Sequence, residues 1–235
     1  MKILGIDSSG LVASVAVVED QHLLGEYTVN YKKTHSQTLL PMLDEVARMI
    51  ELELSSIDAI AVAGGPGSFT GLRIGSATAK GLGLALEKPL ISVPTVDALA
   101  FNLAGHRDVV CPLMDARRNQ TYTGLYRFDG EQMKILRAQS AVGIDEIAAD
   151  INERGEAVVF LGDGVEVFAP YLKETLTVPY YFAPAHVNKQ RAGAVAVLAM
   201  QYYKEGKYQN ARDHKPDYLR LSQAERERQS RGENG

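Results

Sequence analysis

The chain has 235 residues, 46% of them hydrophobic, with a formal charge of −4 and an isoelectric point near 5.8. That supplies a core for one large domain or two compact lobes, and the acidic balance excludes free-standing nucleic-acid binding, which needs a basic face against phosphates. A single cysteine, Cys111, excludes an internal disulfide, and its apolar neighbours read as a strand holding a buried, reduced thiol.

The opening "MKILGIDSSG" is too short in its apolar part for a signal segment, and no later run reaches membrane-spanning length. A cytoplasmic, soluble protein without membrane contact is expected. Ile3, Leu4 and Ile6, then Val12, Val15, Val17 and Val18, predict two strands joined by the polar turn Asp7 to Gly10. "HLLGEYTV" predicts a third, so the chain should open as an antiparallel meander. From about Ser36 the spacing of Leu39, Leu43, Val46 and Ile50 predicts a helix, with Leu40 and Ala47 widening its stripe. Pro41 fits it only in the first turn, where the missing N–H costs little.

"IDAIAVAGG", residues 57–65, predicts a strand covered on both faces. A helix should follow from about Thr70 to Leu86, then a strand at "LISVP", a short helix with Thr95 as N-cap candidate, and a stop at Gly105. A second set begins at "DVVCPLMDA": strands at "TYTGLYRF" and "KILRAQ", a helix at "IDEIAADINERG", an apolar strand at "EAVVFLGDG", and a long helix from about Asn188 to Lys204. The order of elements thus occurs roughly twice, giving lobes at 1–106 and 107–221. The polar end, 222–235, is expected to be a disordered tail.

The stretch "GGPGSFTGLRIGSATAKG" looks like a phosphate cradle and fails each test for one. It lacks the glycine spacing and the lysine of a Walker loop. Thr70 stands where the Rossmann fingerprint needs a third glycine, and Pro66 breaks the nucleophile elbow around Ser68. Gly71, Gly75, Ala79 and Gly83 fall four apart instead, leaving one helix face as nearly bare backbone for close packing. That face meets either the protein's own sheet and first helix or another subunit.

Other chemistry is thin. Asp7, Ser8 and Ser9 are candidate contacts for a phosphate and its magnesium, with a structural turn as the alternative. Asp115, Arg117 and Arg118 form either an anion site or a surface hairpin, and "GDG" at 162–164 is a turn by composition. His22, His35, His106, His186 and His214 show no metal-ligand spacing, so no metal site is expected; His35 alone stands at a helix start. No nucleophile, base and orienting residue appear as a set, so no catalytic residue is expected.

"ILGIDSSGLVASVAVV", "THSQTLLPMLDEV", "IDAIAVAGGPGSFTGLRIGSATAKGLGLAL", "MDARRNQTYTGLY", "FLGDG" and "KPDYLR" together resemble the TsaB (YeaZ) family of bacterial transfer RNA modification. The resemblance implies an α/β fold of the actin, sugar kinase and Hsp70 (RNase H-like) type, with two lobes of mixed sheets and flanking helices. It also implies a non-catalytic subunit that binds and activates TsaD, which transfers threonylcarbamoyl to the adenosine beside the anticodon. TsaE and transfer RNA are the further implied partners, reached through the complex, and the chain alone should form a homodimer. No cofactor is intrinsic, with ATP or ADP and magnesium entering at the level of the complex. The implied interface falls on Leu39, Leu43, Val46, Leu72, Ile74, Gly75, Ala79 and Leu82. Gly75→Leu is then expected to block pairing while leaving each lobe folded. The alternative is an independent ATPase or peptidase of the same fold.

Overall fold

The computed structural model describes residues 1–31 and 35–219, so the tail expected at 222–235 lies outside the described residues. β1 (Lys2–Asp7), β2 (Ala13–Glu19) and β3 (His22–Val29) form the antiparallel meander. α1 (His35–Met49), β4 (Ala59–Gly65), α2 (Phe69–Ala85), β5 (Leu90–Pro94) and α3 (Thr95–Phe101) complete a first repeat. β4 runs parallel to both β1 and β5 and is buried at every residue, as its unbroken apolar run requires.

The second repeat is β6 (Val109–Asp115), β7 (Gln120–Asp129), β8 (Gln132–Gly143), α4 (Ile144–Arg154), β9 (Val158–Leu161), α5 (Gly164–Thr175), β10 (Tyr180–Phe182) and α6 (Ala192–Lys204). The sheets are ordered β3-β2-β1-β4-β5 and β10-β9-β6-β7-β8, the same arrangement read from opposite ends. Three strands, helix, strand, helix, strand, helix therefore occur twice in full. Sequence reading missed α5, which carries Pro170 inside it, and the three-residue β10.

Four local expectations are corrected. Pro41 lies inside α1 rather than in its first turn. The turn before it is held from outside: His35 Nε2 hydrogen-bonds Gly10 O at 2.8 Å and Leu39 is buried, which compensates the lost backbone bond. Leu40 is 54% exposed, so the buried stripe is Leu39, Met42, Leu43 and Val46. Thr95 does not cap α3; its Oγ1 accepts from Gly65 N at 3.1 Å and secures the end of β4. The last helix also begins at Ala192 rather than near Asn188.

Alternating side chains of each strand feed opposite faces, giving three apolar layers. Leu4, Ile6, Val15, Ile60 and Val62 meet α1 and α2 on one outside. Cys111, Leu113, Leu125 and Phe160 meet α4 and α5 on the other, and burial pushes the Cys111 thiol up to about 12, an inert form. Between the sheets, Ile3, Ala61, Ile91 and Val93 share one core with Val110, Tyr126, Val159 and Leu161. α6 of the second repeat packs on β1 and β2, and α3 of the first packs on β6 and β7. The exchanged helices stitch the repeats together.

A polar latch crosses that core. Tyr126 on β7 donates its hydroxyl to Asp97 Oδ1 on α3 at 2.6 Å, and both side chains are buried. Burial holds the Asp97 carboxyl above the usual carboxylate range. Tyr126→Phe keeps the ring and removes the donor, so it should cost about 1–3 kcal/mol in urea unfolding. A loss within error of zero would assign the stability there to packing alone.

Candidate functional site: interlobe turns and the α2 surface

Asp7 ends β1, and the chain must turn within Ser8 to Gly10 to enter β2. Asp7 Oδ1 accepts from Ser9 N at 2.9 Å and from Ser9 Oγ at 2.6 Å, while Ser8 Oγ donates to Gly71 O at 2.9 Å. The three side chains are buried. The glycine-rich loop is what buries them: Ser68 N donates to Ser9 O at 2.7 Å, and a Cβ on Gly67 or Gly71 would stand 2.3 Å from Ser9 O or 2.0 Å from Ser8 O. The loop is a lid on the aspartate turn. Desolvation pushes the Asp7 carboxyl up to about 6, against the Ser9 hydrogen bonds and the nearby His35, which lower it.

The second repeat brings its own turns. Arg117 N donates to Asp115 Oδ1 at 2.8 Å and Arg117 Nη1 lies 3.2 Å from Asp115 Oδ2, so this arginine is engaged locally. Arg117, Arg118 and Asn119 all have positive φ (65°, 57° and 60°), a left-handed run that L residues adopt reluctantly. Gly162 of the "GDG" turn has φ 106°, and a Cβ there would stand 2.1 Å from Leu113 O; burial raises the Asp163 carboxyl beside it. Among the described residues no three of His, Cys, Asp and Glu group as a metal cluster, and no helix is long and apolar enough to cross a membrane.

The α2 helix has two unlike faces. Gly71, Gly75, Ala79 and Gly83 are buried; a Cβ on Gly75 would meet Ser8 Oγ at 2.4 Å, and one on Gly83 would meet Ala211 Cβ at 2.8 Å. This small-residue groove seats the protein's own β1–β2 turn and C-terminal segment. The expectation that Gly75→Leu leaves the lobes folded is therefore corrected, because the leucine would be driven into Ser8. Leu39, Leu43, Val46 and Ala79 are likewise buried against the first sheet, Leu72 is buried, and Ile74 and Leu82 are half-buried at the sheet's margin.

The opposite face carries a second small-residue row that sequence reading missed. Ala77, Gly81 and Ala85 are exposed and four apart, with Leu84 exposed beside them. A Cβ on Gly81 would meet no atom within 4 Å. The spacing was visible in the sequence; which row meets the sheet was not.

A model of the family described as TsaD, tRNA N6-adenosine threonylcarbamoyltransferase, matches residues 22–228. The chain is similar to the tRNA threonylcarbamoyladenosine biosynthesis protein TsaB of Bacillus subtilis (strain 168), 30% identical over 225 residues that cover 96% of each. It also matches the solved structure of YeaZ from Pseudomonas aeruginosa, with a TM-score of 0.79 at 25% identity over 92% of this chain and 99% of that one. The activator of 2-hydroxyisocaproyl-CoA dehydratase from Clostridium difficile, solved with bound ADPNP, shares the fold alone: TM-score 0.51, 9% identity, 88% of this chain and 97% of that one.

Two repeats of identical topology around a shared interlobe core give the chain a two-lobed α/β fold of the actin, sugar kinase and Hsp70 type. Within that class, the chain belongs to the TsaB (YeaZ) family.

Proposed function

We propose that this chain is a non-catalytic subunit in the synthesis of N6-threonylcarbamoyladenosine on transfer RNA, acting in the cytoplasm by pairing with TsaD and activating it. Family membership supports the pathway. The observation that carries the mode of action is the exposed row Ala77, Gly81 and Ala85, which leaves the α2 backbone open to close approach by another helix. Ile74 and Leu82 border that row, and exposed Leu40 on α1 adds apolar surface. Leu39, Leu43, Val46, Leu72, Gly75 and Ala79 have a different part: they hold α1 and α2 against the sheet, so that the outer faces are presented rigidly.

A two-fold interface reuses one patch, so the same surface joins two copies when TsaD is missing. TsaE and transfer RNA join through the TsaD complex, and any ATP or ADP with magnesium enters there. Asp7, Ser8 and Ser9 give little support for nucleotide binding by the chain alone, since they are buried under the glycine loop and bonded locally. Light scattering after size exclusion, on the chain alone and mixed with TsaD of the same organism, tests the reading. A homodimer that converts to a mixed species supports it. Absence of any mixed species, with magnesium-dependent ATP turnover or peptide cleavage by the chain alone, replaces it with the enzyme alternative.

A further inference from the structure

After α6 the chain returns to the first lobe and runs along α2. Gln209 and Leu90 exchange both backbone hydrogen bonds at 2.9 Å, adding a bridge to the free edge of β5. Lys80 Nζ donates to Arg212 O at 2.9 Å and His214 O at 3.1 Å. Asp217 N donates to Gly64 O at 2.6 Å, and Tyr218 ends the run with its ring 4.8 Å from that of Phe69. Gly65 and Gly83 are the residues that admit this approach, since a Cβ on either would stand 2.0 Å from Asp217 O or 2.8 Å from Ala211 Cβ.

Little apolar burial holds the segment down. Ala211 and His214 are its buried residues, while Arg212, Asp213, Lys215, Asp217 and Tyr218 are exposed. Polar contacts do the holding, and His214 is central to them. Its Nδ1 lies 3.1 Å from Gln209 Nε2 and its Nε2 lies 3.0 Å from Ser76 Oγ. An amide nitrogen only donates, so Nδ1 is the acceptor and Nε2 carries the proton offered to Ser76. The imidazole is seated in its neutral form. A second proton would sit on Nδ1, facing a donor. Ser76 and Gln209 are uncharged, Lys80 of α2 is the charged group acting on the ring, and the charged side chains flanking it on its own segment are exposed. The serine–histidine contact is enclosed on both sides, so it is a fastening and not a nucleophile.

We propose that residues 207–218 form a detachable strap along α2, with the His214 imidazole as its latch, so that acidification releases the strap while both sheets stay folded. The sign follows from linkage. Burial and the Lys80 charge hold the seated imidazole below its ordinary value of about 6.5, so the released strap binds the extra proton. The latch is fully effective above about 6.5, and the opening equilibrium rises about tenfold for each pH unit below it, down to the seated value. Local opening of this kind needs few apolar contacts to be broken. Since α2 is also the helix on which the pairing reading rests, release would loosen the docking surface; that consequence depends on that reading, and the strap does not.

Amide hydrogen exchange on the full chain alone tests it, with the Gln209 and Asp217 amides reporting on the strap and those of β1 and β4 on the sheets. Between pH 7.5 and 5.0, corrected for intrinsic exchange, strap protection should fall, by up to about tenfold per pH unit below about 6.5, while the sheet amides keep theirs, with a midpoint matching the titration of the His214 ring followed by NMR. Lys80→Met, which removes the donor to two strap carbonyls, should lower strap protection already at pH 7.5. Strap protection independent of pH, a midpoint apart from that of His214, or joint loss of strap and sheet protection would each overturn the proposal. Because no partner is present, such a failure leaves the TsaD reading untouched.

Discussion

Gly81→Leu should weaken pairing with TsaD by at least about 30-fold while leaving the lone chain at least as stable as its parent, and Gly75→Leu should destabilise the lone chain by about 2 kcal/mol or more. The two glycines stand six positions apart on one helix, and the physics at each is opposite. At Gly81 an added Cβ meets no atom within 4 Å, and an exposed glycine inside a helix gives up about 0.5–1 kcal/mol relative to alanine. A leucine there recovers helix propensity. It also fills the middle of the Ala77–Gly81–Ala85 row and would hold any docked helix away. If the row is a hot spot at the centre of the interface, its loss is worth about 2 kcal/mol or more, so affinity should fall by at least about 30-fold. At Gly75 the Cβ alone would stand 2.4 Å from Ser8 Oγ and 3.6 Å from Val62 Cγ2. A leucine must push the β1–β2 turn off α2, breaking the Ser8–Gly71 hydrogen bond in addition to an overpacking cost of about 1–3 kcal/mol or more. Thermal unfolding and light scattering read both variants. If Gly81→Leu pairs with TsaD as tightly as the parent, the outer face of α2 is not the contact.

The contrast between those glycines marks where sequence reading stops. On α1 the charges of Asp44, Glu45 and Arg48 fix the solvent side, so the inward stripe of Leu39, Leu43 and Val46 was legible from spacing. α2 offers only Arg73 and Lys80 as charges among small and apolar residues, and two small-residue rows run along it. Periodicity drew attention to the Gly71–Gly83 row and left Ala77, Gly81 and Ala85 unread; nothing local said which row meets the sheet. The strands were clear for the converse reason, since β4 and β9 are nearly unbroken apolar runs bounded by glycine. The duplication was visible as an order of elements, but its completion needed α5 and β10, whose signals are blurred by Pro170 and by brevity. Long-range pairings were out of reach altogether. Ser76 and His214 are 138 residues apart, and neither carries a local mark of the other. Thr95 looked like a cap because its neighbours suit one; its hydroxyl is taken instead by the end of a parallel strand.

Asp7→Asn should stabilise the chain by about 1–3 kcal/mol at pH 7.5, with the gain disappearing near pH 4. Burial raises the folded-state value from 3.8 to about 6, so the folded form holds its proton more tightly than the unfolded chain. Asp7 therefore favours folding below about 3.8, and that contribution is lost as pH rises through the folded value. A rise of that size corresponds to about 3 kcal/mol at neutral pH. Asparagine keeps an oxygen for Ser9 N and Oγ and cannot ionise; its new amide donor offsets part of the gain if it finds no acceptor. Urea unfolding at the two pH values measures the difference. A variant less stable than the parent at pH 7.5 would mean that the ionised carboxylate has a compensating partner, with His35 the nearest candidate by its favourable charge effect. If the gain appears, the parent retains a buried carboxylate against its own stability, as functional sites do. Complementation of threonylcarbamoyladenosine formation then separates the two remaining accounts. Full activity in the more stable variant makes the Asp7 charge dispensable for the pathway, whereas loss of activity with TsaD pairing intact gives the carboxylate a task in the assembled complex.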